Sequence, residues 1–478
     1  MSNLLRLLKN AFSLLTTELV NAVIGVVFTA FLVRHLSVSD FGIYTTITVF
    51  LAFGSLFADL GMSQVIVRDI AQERDSGRVV LPNAVLIALS LATLAWGGLI
   101  LLTAVFYPGR VQGLLLVAGA ALLFKAVAQL SAATVRAFER MEILAAINSG
   151  VSIVSSALGI LLLEMGRGLS AQVGLIVVSA AVTALLLSVI VHFRFVRFSL
   201  TFRAAVSRRI LCETLPIAIL LGCNTVLMKS DLVILSKMQT MAAVGIYGAS
   251  VKIIDFLGIF TASALGAMLP FMAARWSQSS PSALRNYQQA LRLFIVLGMA
   301  VTVGVFMLSG DIVALVFGAS YQATALPLRI LIWALFFNFL SGPVGLFLLV
   351  SRERLFHVIP YALGVTVLSV ALNLFLIPRY GYIGASGVRV ISSALLFAIK
   401  VRIMGYFLER RPPWLQIVVR PMIAAAVMGL LIFLMWDLSL LLIVPVGALT
   451  YLIVLLGLGE FRAEEYKFLQ PCFALVCE

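Results

Sequence analysis

Nine ionisable side chains fall inside long apolar runs of this chain: Glu18, Asp59, Lys125, Lys229, Asp231, Lys252, Asp255, Arg329 and Arg389. A charge at the depth of a hydrocarbon layer costs roughly 2.5–3.5 kcal/mol on insertion scales, so it must face a partner or a wet cavity. Lys125, Arg329 and Arg389 are cations in separate runs. Converging on one cavity, they would suit a phosphate-bearing lipid headgroup, whose anionic oxygens match ammonium and guanidinium donors. Lys252 and Asp255 stand three apart, so one helix face can hold them as an ion pair or turn both toward a cavity. Lys229 and Asp231 stand two apart and point to different sides, which leaves Asp231 free to face inward while Lys229 reaches the headgroups. Asp59 precedes Leu60-Gly61 and can pair with Arg68 or cap local backbone.

Other chemistries find little support. Three histidines in unrelated segments make no metal cluster, and Cys212, Cys223, Cys472 and Cys477 make no disulfide framework. No GxxxxGK[ST] loop is present, so direct ATP hydrolysis by this chain is not expected. Isolated amides and hydroxyls at Asn21, Thr29, Gln129, Asn224, Asn338 and Asn373 can line a wet cavity or bond helix to helix. Pro216, Pro327, Pro343 and Pro360 interrupt or begin apolar runs, where kinks, hinges or cavity lining are expected.

The elements that must position these groups are membrane helices. The chain has 478 residues, of which 62% are hydrophobic and only 11% charged, with a mean hydropathy of +1.13. An ordinary soluble domain holds roughly 45–50% apolar and about 25% charged residues. Apolar windows predict spans near 12–33, 43–66, 83–107, 112–134, 143–163, 172–193, 212–235, 243–268, 290–310, 325–349, 357–377, 383–405, 417–436 and 438–458. Only Trp436-Asp437 separates the last two, so twelve to fourteen helices are expected. The first run continues to Val33 without a small-x-small cleavage site and is expected to be a retained span rather than a signal peptide. With both termini in the cytoplasm, about three times as many Lys and Arg fall on the cytoplasmic side as on the other. The net charge of +14 therefore reflects loop placement and not a nucleic-acid partner.

An internal echo divides the chain. Gly42-Ile43-Tyr44 opens the second span, and Gly245-Ile246-Tyr247 opens the eighth. At the same offset Phe57 matches Phe260, and Glu139-Arg140 is echoed by Glu353-Arg354 at a slightly longer one. A duplicated six-helix unit would enter the membrane twice in the same direction, a parallel repeat used by transporters that rock two bundles about a central cavity. The expected organisation is an all-α polytopic membrane protein. Residues 1–194 form a six-helix bundle, 195–211 a basic cytoplasmic linker and 212–405 a second six-helix bundle. Residues 406–478 add two further helices and a cytoplasmic tail. The linker mixes Phe195, Phe198, Leu200 and Phe202 with five Arg, as a surface-lying helix or a basic tether would.

Four stretches carry a resemblance. They are Phe31-Leu32-Val33-Arg34 through Asp40-Phe41-Gly42-Ile43-Tyr44, Asp59-Leu60-Gly61-Met62-Ser63-Gln64 with Arg68-Asp69-Ile70-Ala71, Val244-Gly245-Ile246-Tyr247-Gly248-Ala249, and Pro378-Arg379-Tyr380-Gly381-Tyr382-Ile383-Gly384-Ala385. In that order and spacing the chain resembles the polysaccharide-export flippases of the multidrug/oligosaccharidyl-lipid/polysaccharide exporter superfamily. The resemblance implies two six-helix lobes around a V-shaped cavity, a location in the bacterial inner membrane, and transport rather than catalysis. It implies flipping of a polyprenyl-(pyro)phosphate-linked oligosaccharide to the outer leaflet, for lipopolysaccharide O-antigen, capsule or exopolysaccharide assembly. It also implies a glycan polymerase or chain-length regulator as partner, no bound cofactor, and coupling to H⁺ or Na⁺. On that basis Lys125, Arg329, Arg389 and Lys252 are the substrate-binding candidates and Asp231 and Asp255 the ion-coupling candidates. Asp59, Arg68, Pro216 and Pro343 are structural or gating candidates. A cation-coupled drug or metabolite exporter and a lipid II flippase are alternatives of the same shape. A membrane glycosyltransferase or polymerase would need catalytic residues in long outer loops, and here those loops are short.

Overall fold

The computed structural model describes residues 20–107, 109–196, 202–276, 280–350, 352–407, 414–435 and 439–459. Glu18, the 197–201 part of the expected linker, Trp436-Asp437 and the tail from 460 lie outside the described residues. In chain order the helices are α1 (Val20–His35), α2 (Val38–Asp59), α3 (Met62–Gln72), α4 (Gly77–Phe106), α5 (Arg110–Gly119), α6 (Ala121–Ala137), α7 (Met141–Glu164) and α8 (Gly168–Arg194). They continue with α9 (Ala204–Met238), α10 (Met241–Trp276), α11 (Ser280–Phe317), α12 (Ala325–Val350), α13 (Arg352–Phe407), α14 (Trp414–Leu434) and α15 (Leu440–Gly457). All regular structure among the described residues is helical, as a bilayer demands, because a helix satisfies its backbone donors and acceptors within itself.

Twelve of these segments are long and apolar enough to cross a membrane. α5 and α6 run on as one such segment, Arg110–Ala137. The apolar part of α13 covers 47 residues, Ile359–Gly405, which at 1.5 Å per residue is about 70 Å and twice a hydrocarbon core. It breaks at Gly381, where φ is 56° and ψ −134°, a conformation open to glycine. A Cβ on the neighbouring Gly384 would come within 2.7 Å of the Leu376 carbonyl oxygen, so the reversal also needs glycine there. This is the glycine-rich turn expected between the eleventh and twelfth spans. α9 begins at Ala204, so residues 204–211 of the expected linker are its first two turns. At 35 residues α9 extends about 52 Å, well beyond a core of roughly 30 Å.

Two compact units emerge. The first holds Met1–Ser263 with Thr366–Ala385, the second Ala264–Val365 with Ser386–Glu478. In the first, α6 packs against α3, α4 and α8, and α2 against α4 and α9. In the second, α11 packs against α12, α14 and α15 over a core that includes Leu291, Ile295, Met299, Met428 and Ile432. Tyr451 of α15 donates its hydroxyl to the Val296 carbonyl at 2.8 Å, so both C-terminal helices are fixed to α11.

Within the first unit, α2 and α10 meet backbone to backbone at positions equivalent under the internal offset. A Cβ on Gly42 would collide with the Met241 carbonyl oxygen, and a Cβ on Gly245 with the Val38 carbonyl oxygen. Val38 and Met241 are themselves separated by the same 203 residues as Gly42 and Gly245, so the contact is reciprocal. Thr45 and Gly248, another equivalent pair, also touch: a Cβ on Gly248 would lie 2.7 Å from Thr45 Cγ2. Small residues permit such close helix approach in lipid.

The turn between α2 and α3 decides one open alternative. Leu60 (φ 44°) and Gly61 (φ 83°) are both left-handed, and Asp59 Oδ1 accepts from Ser63 N at 3.1 Å and Ser63 Oγ at 2.6 Å. Asp59 is a cap, because the tight turn brings the first free amides of α3 to its carboxylate. Arg68 instead pairs with Asp69 (2.6 Å) and Glu213, while Arg209 pairs with Asp69 at 2.5 Å and reaches Glu213 at 3.8 Å. This network ties α3 to the projecting first turns of α9. Asn83 reinforces it, accepting from Arg203 N at 2.8 Å and Ser207 Oγ at 3.2 Å.

Two outcomes follow for stability. Gly42→Ala or Gly245→Ala should cost at least ~1–3 kcal/mol, the range for overpacking a closed contact. Gly97→Ala, with open space around it, should be neutral or stabilising. Thermal unfolding of the purified chain reads the difference. Asp69 is only 9% exposed and receives two arginines, so Asp69→Asn should cost ~1.5–3 kcal/mol. By the same assay Glu142→Gln, at the exposed Arg140 pair, should change little.

Candidate functional site

Three helices of the first unit turn polar stripes toward one space. On α6 the stripe is Lys125, Ala128, Gln129, Ala132 and Arg136; on α7, Asn148, Val151, Ser152 and Ser155; on α8, Ile176, Ser179, Ala180, Thr183 and Leu187. Each follows the i, i+3, i+4, i+7 spacing of a single helix face. α2 adds Ser55, and together they line a cavity of ≈ 570 Å³. Volumes of about 300–1,000 Å³ are usual for small-ligand sites. Small alanines at 128, 132 and 180 keep the space open where larger side chains would fill it.

The lining carries two cations and no carboxylate. Among the described residues no hydrogen bond or ion pair fixes the Lys125 ammonium. Arg136 lies three helical turns further along the same face, about 16 Å by helical rise, and the acid acting on it electrostatically is Asp59, already engaged by Ser63. Hydroxyls on the walls are turned to their own helices. Ser155, Ser179 and Thr183 donate their hydroxyl hydrogens to the carbonyls of Ser152, Ile176 and Ser179 at 2.8–3.2 Å, which leaves oxygen lone pairs free. Ser55 Oγ and Gln129 Oε1 are buried with no hydrogen-bond partner among the described residues. The cavity therefore has cationic donors at two levels, with hydroxyl and amide side chains between them.

The other predicted residues sit elsewhere. Asp255 pairs with Lys229 at 3.3 Å, so the expected Lys252–Asp255 pair is replaced by one that joins α9 to α10. The reason is reach: Lys229 comes to Asp255 from the neighbouring helix, while Lys252 feels the same carboxylate only at longer range. Lys229 thus does not extend alone toward the headgroups. Asp231 is 2% exposed, accepting from Tyr247 Oη at 2.5 Å and Leu232 N at 2.8 Å. The tyrosine of the second Gly-Ile-Tyr motif holds it. In the second unit Arg329 Nε donates to Ser309 Oγ at 2.6 Å between α12 and α11, and Arg389 is buried at 7% exposure. Pro216 and Pro343 both stand inside helices, α9 and α12. No group of three or more His, Cys, Asp or Glu able to hold a metal occurs among the described residues. Arg136 and the hydroxyl stripes of α7 and α8 are lining groups that isolated intramembrane charges do not reveal. Their 3–4 residue polar periodicity inside apolar runs is the signal that finds them.

Known proteins share this architecture. The lipid II flippase MurJ in an inward closed conformation superimposes with a TM-score of 0.73 at 15% identity, over 98% of this chain and 100% of that one. A MOP superfamily transporter from Pyrococcus furiosus, described by a binding pocket of reverse polarity, gives 0.59 at 14% identity over 83% and 96%. An inward-facing multidrug resistance MATE family transporter of the MOP superfamily gives 0.59 at 16% over 81% and 95%. No curated protein matches the sequence. The family model described as polysaccharide biosynthesis protein matches residues 7–276, more than half of the chain. With that match, the chain belongs to the family described as polysaccharide biosynthesis protein, and it shares its fold with these solved transporters.

Proposed function

We propose that this protein moves a polyprenyl-(pyro)phosphate-linked oligosaccharide from the cytoplasmic to the outer leaflet of a bacterial inner membrane by alternating access, for cell-surface polysaccharide assembly such as lipopolysaccharide O-antigen. The observation that carries the proposal is the cavity among apolar helices whose only charged lining groups, among the described residues, are Lys125 and Arg136. A cation exporter needs acidic groups in its lining, whereas a phosphate headgroup needs these donors. Membership of the polysaccharide biosynthesis family supports the same substrate class.

The physics of the cargo fits. A glycan headgroup cannot cross hydrocarbon, because each hydroxyl and phosphate oxygen would forfeit its hydrogen bonds to water. Its polyprenyl tail never needs to leave the lipid. A second substrate of the same chemistry, lipid II, is favoured by the end-to-end match to a lipid II flippase. Both cargoes present phosphate and sugar to the same donors and acceptors.

In this scheme two six-helix bundles, 1–194 and 212–405, alternate about a shared path, with α14 and α15 as additions. Lys125, Arg329, Arg389 and Lys252 meet the anionic headgroup. Asp231, held by Tyr247, or Asp255, paired to Lys229, couples movement to H⁺ or Na⁺. Asp59, Arg68, Pro216 and Pro343 set the turns and kinks on which the bundles flex. Both termini are cytoplasmic, and a glycan polymerase or chain-length regulator takes over the product outside.

Leaflet-specific detection of lipid-linked glycan tests the proposal. Cells lacking the protein, and any redundant flippase, should lose outer-leaflet glycan. Lys125→Gln and Arg389→Gln should each lower its appearance about tenfold, equivalent to ~1.4 kcal/mol of lost headgroup interaction, with normal membrane insertion. Unchanged outer-leaflet glycan after deletion would refute the function, and full activity in both variants would remove the two cations from it.

A further inference from the structure

Several exposed cations of the first unit are already committed: Arg68 and Arg209 to Asp69 and Glu213, and Arg140 to Glu142. Arg194, Arg203 and Arg208 are exposed too, but their guanidinium groups meet no hydrogen-bond or ion-pair partner among the described residues. The start of α4 gathers them. Val196, just past α8, packs against Gly77, where a Cβ would lie 3.0 Å from Val196 Cγ2. The Arg203 N–H, just before α9, donates to Asn83 Oδ1 at 2.8 Å. Gly77 and Asn83 are about 9 Å apart by helical rise, so the end of α8 and the start of α9 share the first turns of α4. In the adjoining segment Glu73 and Asp75 offset Arg74 and Arg78, which leaves the three free arginines to set a positive sign.

Both helices also carry an apolar stripe that ends at these cations. On α8 it runs through Val178, Val182, Leu185, Val189 and Phe193, all exposed. On α9 Arg208, Leu211, Leu215 and Ile219 are exposed and fall within about 80° of one another at 100° per residue. Ser207, Ile210 and Thr214 turn inward on another side, and Arg209 and Glu213 occupy a third face toward α3. Arg208 is therefore the polar end of an apolar stripe, and Phe202, 64% exposed, adjoins Arg203. Aromatic and cationic side chains placed so mark the headgroup level of a bilayer. A soluble anion would answer the arginines but not the apolar surface below them. A zwitterionic lipid would cover that surface but brings no net charge. An anionic lipid does both.

We propose that the end of α8 and the start of α9 form a binding surface for an anionic phospholipid, with Arg194, Arg203 and Arg208 on its phosphate and its acyl chains along Leu211, Leu215 and Ile219. A guanidinium offers paired N–H donors that match two phosphate oxygens. The bound lipid fastens the projecting turns of α9 to one membrane surface, and with them α3 through the Arg209–Asp69 pair. None of the cavity-lining residues takes part, so the surface is independent of the cargo.

The test uses the purified, delipidated full chain and native mass spectrometry with phosphatidylglycerol and phosphatidylcholine of identical acyl chains. Phosphatidylglycerol should bind about tenfold or more tightly. Arg208→Gln alone should weaken it about fivefold, the share of one basic residue at an anionic surface. Replacing Arg194, Arg203 and Arg208 together by Gln should bring the two lipids within about twofold, with thermal unfolding unchanged. Arg208→Lys should keep most of the affinity, which separates charge from folding. Arg140→Gln, at an arginine already paired, should leave the preference within about twofold. Equal affinity of the folded wild-type protein for both lipids would overturn the surface, as would an unaltered preference in Arg208→Gln and the triple variant. Displacement of bound phosphatidylglycerol by millimolar glycerol 1-phosphate would overturn it as well, by making it a site for a soluble phosphate. Lipid preference is read without transport, so this surface and the transport proposal can each fail alone.

Discussion

A polar atom in hydrocarbon must find a partner, and the arrangement of the first unit depends on that constraint. Lys125, Gln129 and Arg136 cannot face lipid without penalties of several kcal/mol between them. The hydroxyl and amide faces of α7 and α8 are under the same pressure, though more weakly, since serine and threonine can bond back to their own helix. Turning all three stripes toward one another resolves the conflict and leaves a polar-lined space between them. The same constraint that builds the helices therefore builds the cavity, and alanines at 128, 132 and 180 prevent it from closing.

Rigid supports surround that space. At one end of the helices, Arg68, Asp69, Arg209 and Glu213 bind α3 to the projecting start of α9, with Asp69 buried between the two guanidinium groups. On the other side, Arg110 reaches Asp40 at 2.9 Å and joins the starts of α5 and α2. Close by, the glycine crossing of α2 and α10 replaces side-chain packing with backbone contact. Its reciprocity, Gly42 on Met241 and Gly245 on Val38, joins positions that share the same 203-residue offset.

Charge sign separates functions that share this fold. Superimposable backbones belong to a lipid II flippase and to a multidrug transporter, so the fold alone does not choose a cargo. The lining does. Two cations without a carboxylate disfavour a cationic drug and favour a phosphate. Acid is present nearby, but it is engaged: Asp59 caps α3, Asp231 is held by Tyr247, and Asp255 is paired to Lys229. Of these, Asp231 is deeply buried, and the hydroxyl it accepts from Tyr247 ties α9 to α10.

The sequence by itself determined the membrane class, the positions of the spans, the glycine turn at 381 and the echo of Gly-Ile-Tyr, because hydropathy, turn chemistry and repetition are local properties. It also singled out Lys125, Asp231 and Asp255 as charges in need of an explanation. It did not decide who answers them. Lys252 stands three residues from Asp255, yet Lys229 takes that carboxylate, because a neighbouring helix can bring a side chain closer than the same helix does. Nor did it assemble the cavity, whose lining joins Arg136 of α6 to Ser152 of α7 and Ser179 and Thr183 of α8. Only the packing of α6 against α8 and of α7 on α8 brings their faces together. Which face of an apolar helix looks at which neighbour is a long-range outcome, set by the summed fit of many side chains, and no short window of residues contains it.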